Sequence, residues 1–152
     1  MANKNVLNLE GVSIGFRNFA GAEGRYNKQG DRNFVVFLDD AKAKELLSKG
    51  WNVKFPKEND DIDPEEDTRQ PYLPVSLNFN GFPPKVVVIA DGNASKLDES
   101  EVDMLDYADI LDVDIVLNPY NWSVNGSTGI KAYCKAIYVT IDTDAFDAKY
   151  GI

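Results

Sequence analysis

A chain of 152 residues, 43% of them hydrophobic, is long enough for one real core, and no apolar run reaches the length of a membrane span. The absence of histidine and the presence of one cysteine, Cys134, exclude an imidazole base, a structural zinc site and an internal disulfide. The formal charge of −9 is unevenly spread: through Lys57 ten Lys/Arg stand against six Asp/Glu, and from Glu58 onward six stand against nineteen, so an acidic protein still has a locally basic half that can face a polyanion. The start, MANKNVLNLEGV, lacks the basic, apolar and small-residue regions of a secretory signal, which with the lone cysteine predicts a cytoplasmic protein.

In chain order, Val6 to Phe19 alternates as one strand or two joined strands, with Val12, Ile14 and Phe16 on one face and Ser13, Gly15, Arg17 and Phe19 on the other. The stretch AGAEGRYNKQG follows as a flexible hairpin loop carrying Arg25, Tyr26 and Lys28; its glycines match neither the Walker spacing nor GxGxxG. Arg32 to Leu38 is the clearest strand, rich in aromatic and β-branched residues, and should pair with the first across that loop. Asp39 or Asp40 then caps a short helix running to about Lys49, with Leu46 and Leu47 inward and Gly50 as its stop. WNVKF, from Trp51, reads as a short strand with the indole as a core plug.

Residues 56–70 hold the run ENDDIDPEED and read as an acidic mobile loop; no glycine and glutamate fall where a calcium loop needs them. PYLPVSLNFN is a strand with Val75, Leu77 and Phe79 on one face, and KVVVIA, Lys85 to Ala90, is apolar enough to be central. Leu97 to about Tyr107 has near-helical spacing. ILDVDIVL places Asp112 and Asp114 together on one face, where two carboxylates could hold magnesium for a nuclease, although no third ligand is recognisably placed and an exposed edge is the plainer reading. Asn118 to Gly129 reads as a loop with Tyr120 and Trp122. It leads into GIKAYCKAIYVTI, whose alternation puts Ile130, Ala132, Cys134 and Ala136 on a small apolar face and Lys131, Tyr133 and Lys135 on the other. Residues 142–152 form a short acidic tail.

At least six strands and two short helices, with no βαβ alternation, predict one all-β domain over 1–152: an OB-fold-like, partly closed antiparallel barrel. A ring beside cations recurs at Arg17/Phe19, Arg25/Tyr26/Lys28, Arg32/Phe34 and Lys131/Tyr133/Lys135, and Trp122 adds a further ring. That pairing suits single-stranded nucleic acid, in which bases stack on flat rings while cations meet the phosphates. Each pair also fits ordinary strand packing with surface charge. A non-DNA interaction module or acidic DNA mimic would use the surplus carboxylates instead.

The runs GFRNFAGAEGRYNKQGDRNFVVFLDD, GWNVK, YLPVSLNF and LDVDIVLNPYNWSVNGSTGIKAYCKAIYVTI resemble the bacteriophage single-stranded DNA-binding proteins related to the T7-type OB-fold protein, GDRNF and GIKAYCKAIYV most strongly. The resemblance implies non-catalytic, sequence-independent binding of single-stranded DNA during phage replication and recombination, in the host cytoplasm and without a cofactor or metal. By motif position it implies groove roles for Arg17, Asn18, Phe19, Tyr26, Arg32, Phe34, Lys131, Tyr133 and Lys135. It also implies replication or recombination proteins as partners through the acidic tail or loop, in a monomer or homodimer. The short ending Lys149-Tyr150-Gly151-Ile152 departs from the family's long acidic tail, so tail-mediated dimerisation and polymerase recruitment do not carry over.

Overall fold

The computed structural model describes residues 6–25 and 27–143; Tyr26 and most of the acidic tail expected at 142–152 lie outside the described residues. Strand β1 (Leu7–Asn18) pairs antiparallel with β2 (Arg32–Phe37) on one side and with β6 (Ile110–Val124) on the other. Next to β2 lies β3 (Tyr72–Leu77), and next to β6 lies β7 (Ser127–Ile141). The ring closes where β3 runs parallel to β7, through Val75 opposite Ala132 and Ser76 opposite Tyr133. This is a closed five-stranded barrel of the OB type. Beyond it, β4 (Lys85–Ala90) runs parallel along β7 and β5 (Asn93–Leu97) extends the sheet.

Strand alternation fills the interior. Phe34 and Val36 of β2, Leu73, Val75 and Leu77 of β3, and Ala132 and Cys134 of β7 are buried, joined by Phe19, Ile115, Leu117 and Ile137. Between β2 and β3 sits helix α1 (Asp40–Ser48), whose N-cap Asp39 carboxylate accepts from the Lys42 N–H at 2.7 Å. At its other end Gly50 takes φ +97°, the Gly50 N–H donates to the Leu47 carbonyl and the Trp51 N–H to that of Leu46, a Schellman stop that seats Trp51 in the core. Among the described residues no helix is long and apolar enough to cross a membrane.

Five expectations change. WNVKF forms only two bridges, Trp51 to Ile130 and Lys54 to Tyr72, because it bends from one barrel strand to another rather than following either. On α1, Leu46 is buried but Leu47, about 100° further round the helix, is exposed. Leu97 ends β5, and the helix expected after it is a single 3₁₀ turn, Val102–Asp106. Asn118 to Gly129 is not a loop: β6 and β7 pair along it to Val124 opposite Ser127, about a two-residue turn. Phe16 leaves the face of Val12 and Ile14 because its φ is +46° and the β1–β2 register shifts between Gly15 and Asn18.

Candidate nucleic-acid interface

The parity that buries Phe34 and Val36 turns Asn33, Val35 and Phe37 to the outside of β2, and burial of Leu73, Val75 and Leu77 does the same for Tyr72, Pro74 and Ser76 of β3. These residues pair across the ladder as Asn33–Ser76, Val35–Pro74 and Phe37–Tyr72. The parallel contact with β7 sets Tyr133 beside Ser76, and the Lys131 ammonium lies 5.0 Å from the centre of the Tyr133 ring. Asn33, Val35, Pro74, Ser76, Lys131 and Tyr133 line a hollow of about 560 Å³ on the barrel wall.

Two further hollows continue it. Phe16, which borders the central one, also borders a hollow of about 470 Å³ walled by Phe37, Tyr72, Pro56, Thr68 and Arg69. Its ring centre stands 6.2 Å from that of Phe37 and 6.1 Å from that of Tyr72. Gly15 makes room for this cluster, since a Cβ there would come within 2.5 Å of the Phe37 ring. At the other end Tyr133 borders a hollow of about 340 Å³ with Phe82, Pro119 and Tyr120, the Tyr120 ring meeting Tyr133 edge-on at 6.0 Å. The result is one trough following the direction of β3, with rings at intervals and Lys131 near its middle.

Charge is held close to one end. Arg69 donates from Nε at 2.9 Å and Nη2 at 2.8 Å to the two carboxylate oxygens of Asp67, and these hydrogen bonds lower the Asp67 pKa to about 2. Below the trough, burial pushes the Cys134 thiol up to about 12, so it stays protonated near neutrality.

The residues expected at the groove divide. Lys131 and Tyr133 line the trough; Arg32 borders it while tied to its surroundings, donating to the Phe19 carbonyl, lying 5.6 Å from the Phe79 ring centre and 3.7 Å from Glu99. Phe34 borders the central hollow, but its ring and that of Phe19 are buried and stack on each other with centres 5.0 Å apart. Arg17 Nη1 donates to the Leu105 and Ala108 carbonyls at 2.7 and 2.8 Å, which spends its guanidinium on the end of the 3₁₀ turn. Asn18 exchanges two hydrogen bonds with Ala22 and shapes the loop after β1. Arg25 and Lys28 are exposed on that loop, and Tyr26 is outside the described residues. The Trp122 ring lies over Gly129 across the hairpin, and Lys135 is exposed at the β7 bulge.

Sequence reasoning missed Asn33, Phe37, Tyr72 and Ser76, and set Phe16 on the wrong face. For Tyr72 and Ser76 the signal was present, since they alternate with Val75 and Leu77, which were expected to share one face; Asn33 and Phe37 were hidden by the assignment of Phe34 to the groove. Asp112 and Asp114 are exposed, and Asp114 Oδ1 accepts the Gly11 N–H at 2.9 Å, which fixes the bulge in β1. Among the described residues no three or more His, Cys, Asp or Glu gather as a metal-ion site.

The family model described as "Putative phage ssDNA-binding domain" matches residues 2–152. No curated protein matches the chain. Among solved structures, the single-stranded DNA-binding protein of bacteriophage Enc34 in complex with ssDNA is similar with a TM-score of 0.61 at 10% identity, covering 95% of this chain and 90% of that one. A C-terminal truncation of the Enc34 protein gives 0.59 at 11% identity, covering 91% and 87%. The bacteriophage T7 single-stranded DNA-binding protein gp2.5 gives 0.42 at 8% identity, covering 99% and 96%. With a family match that spans nearly all of it, this chain belongs to the phage single-stranded DNA-binding domain family.

Proposed function

We propose that this protein binds single-stranded DNA without regard to sequence by laying the strand along the trough over β2, β3 and β7, with Tyr133 as the central stacking ring and Lys131 as its phosphate contact. The observation that carries this reading is the pairing of the two: an ammonium 5.0 Å from a half-exposed ring, beside the polar Asn33–Ser76 pair on an open barrel wall. A ring offers a π-face that any base can use, which makes stacking indifferent to sequence. Tyr120 extends the stacking surface beside Tyr133. Binding of this kind makes and breaks no covalent bond. It suits a protein that protects strands exposed in the host cytoplasm during phage replication and recombination. The solved Enc34 complex with ssDNA supports the reading through a shared fold.

Fluorescence anisotropy with oligo-dT tests it. Tyr133→Ala is expected to weaken binding by about 1–3 kcal/mol, roughly 5- to 150-fold, while the domain stays folded because the ring lies outside the buried core. Wild-type affinity in that variant would remove Tyr133 from the site.

A further inference from the structure

The two ends of the trough have opposite characters. At one, Phe82 is 99% exposed on the turn between β3 and β4, where Gly81 takes φ +82° and Pro83 and a buried Pro84 follow. Two prolines and a buried anchor fix the backbone that presents this ring. Lys85 follows at the start of β4, its ammonium 5.6 Å from the Tyr138 ring centre, and pairs with Ala136, next to the exposed Lys135. At the other end lies the hollow walled by Phe16, Phe37, Tyr72 and Pro56, large enough at about 470 Å³ for a phenyl ring. The 56–70 segment that closes it carries seven carboxylates from Glu58 to Asp67. An exposed apolar knob, with Lys85 and Lys135 on the neighbouring strands β4 and β7, therefore stands at one end of the trough, and an apolar socket bordered by Arg69 and the acidic 56–70 segment at the other. Tyr72 and Leu77, the ends of β3, mark a separation of about 17 Å along the trough.

We propose that these ends fit one another in successive copies of this chain on one DNA strand: Phe82 of one molecule enters the Phe16–Phe37–Tyr72 socket of the next, and Lys85 and Lys135 face its acidic loop. The proposal rests on the trough being the DNA path. A contact between two different patches is head-to-tail and, unless its rotation closes a ring, propagates along a strand. It also gives a physical reason for leaving a phenylalanine almost wholly in water. DNA supplies the alignment that a protein with charge −9 would resist in free solution.

The test compares oligo-dT that holds one molecule with oligo-dT that holds several, for wild type, Phe82→Ala and a socket-filling Thr68→Trp, each checked for its fold by circular dichroism. Wild type should bind the long strand about tenfold more tightly per site than the short one. Each variant should lose that preference, read as the ratio of its own long-strand to short-strand affinity per site. A one-to-one mixture of the two variants should recover part of the preference, because the Thr68→Trp protein keeps its knob and the Phe82→Ala protein keeps its socket. Equal per-site affinities in wild type, or a long-strand preference that survives Phe82→Ala, would overturn the proposal. So would a loss of short-strand binding in Thr68→Trp, which would make the socket a base pocket. Failure of wild type to bind even the short strand would remove the DNA path itself.

Discussion

Phe34 and Tyr133 are both aromatic residues on barrel strands, and which way each faces decides what it contributes. The Phe34 ring is sealed in the core against Phe19, so its truncation leaves a cavity, whereas Tyr133 stands half-exposed beside Lys131. Phe34→Ala should therefore lower stability by about 3–5 kcal/mol. Its binding of oligo-dT, measured where the variant remains folded, should stay near that of wild type. Chemical denaturation and anisotropy on the same preparation check this, and binding that falls while the fold holds would return Phe34 to the site. The Lys131-Tyr133 pair was legible because the alternation of β7 from Ile130 to Cys134 is unbroken. Arg17 and Phe19 were misread for a local reason. The register shift near Phe16 changes the phase of β1, which delivers Phe19 to the core and Arg17 to the carbonyls of Leu105 and Ala108. A backbone at φ +46° in a phenylalanine leaves no compositional trace.

The barrel's elements were legible where a run was apolar and rich in β-branched residues, as in β2 and β4, and were misread around two hairpin turns, one inside a stretch read as a loop and one followed by a strand that was not recognised. Both cases carry the same dipeptide logic. Asp91-Gly92 and Asn125-Gly126 have positive φ at both positions, 52° and 78° in the first and 51° and 83° in the second, and each joins two paired strands. Type I′ turns require this, and asparagine or aspartate followed by glycine is their usual sequence. Polar residues such as Asn93, Ser95 and Lys96 of β5 hid the strand after the first turn, because β5 lies at the sheet's edge and exposes most of its side chains. The second turn secures the long β6–β7 hairpin, on which Tyr120, Trp122, Lys131 and Tyr133 are carried. Gly126→Val, which places a branched side chain at φ +83°, should cost about 1–2 kcal/mol, while Gly126→Asn should cost clearly less because asparagine tolerates that region. Equal unfolding midpoints for the two variants would show that the turn conformation does not limit hairpin stability.

Barrel closure and the charge balance belong to the whole chain, and they were unequally legible. The strand inventory pointed to a barrel, but the parallel contact of Val75 and Ser76 with Ala132 and Tyr133 joins distant segments through neighbouring backbone that carries no pairing code. Without it Tyr133 would not sit beside Ser76, and the trough would have no far wall. Charge was readable from composition alone, and it sets how DNA binding responds to salt. On the proposed path, a protein of net charge −9 that offers the strand Lys131 and, at the trough's border, the partly engaged Arg32 neutralises few phosphates. If two or three phosphates are neutralised, the logarithm of affinity should fall against the logarithm of salt concentration with a slope of about −1.4 to −2.1, using about −0.7 per phosphate for single strands. Stacking on Tyr133 and its neighbouring rings is insensitive to salt, so measurable binding should persist at concentrations that strip a strongly basic protein from the same oligonucleotide. Lys131→Gln should make the slope shallower by about 0.7, and Tyr133→Ala should lower affinity at every salt concentration while leaving the slope unchanged. A wild-type slope steeper than about −4 would mean that cations beyond the trough, with Arg25 and Lys28 on the loop after β1 the first to examine, also hold the strand.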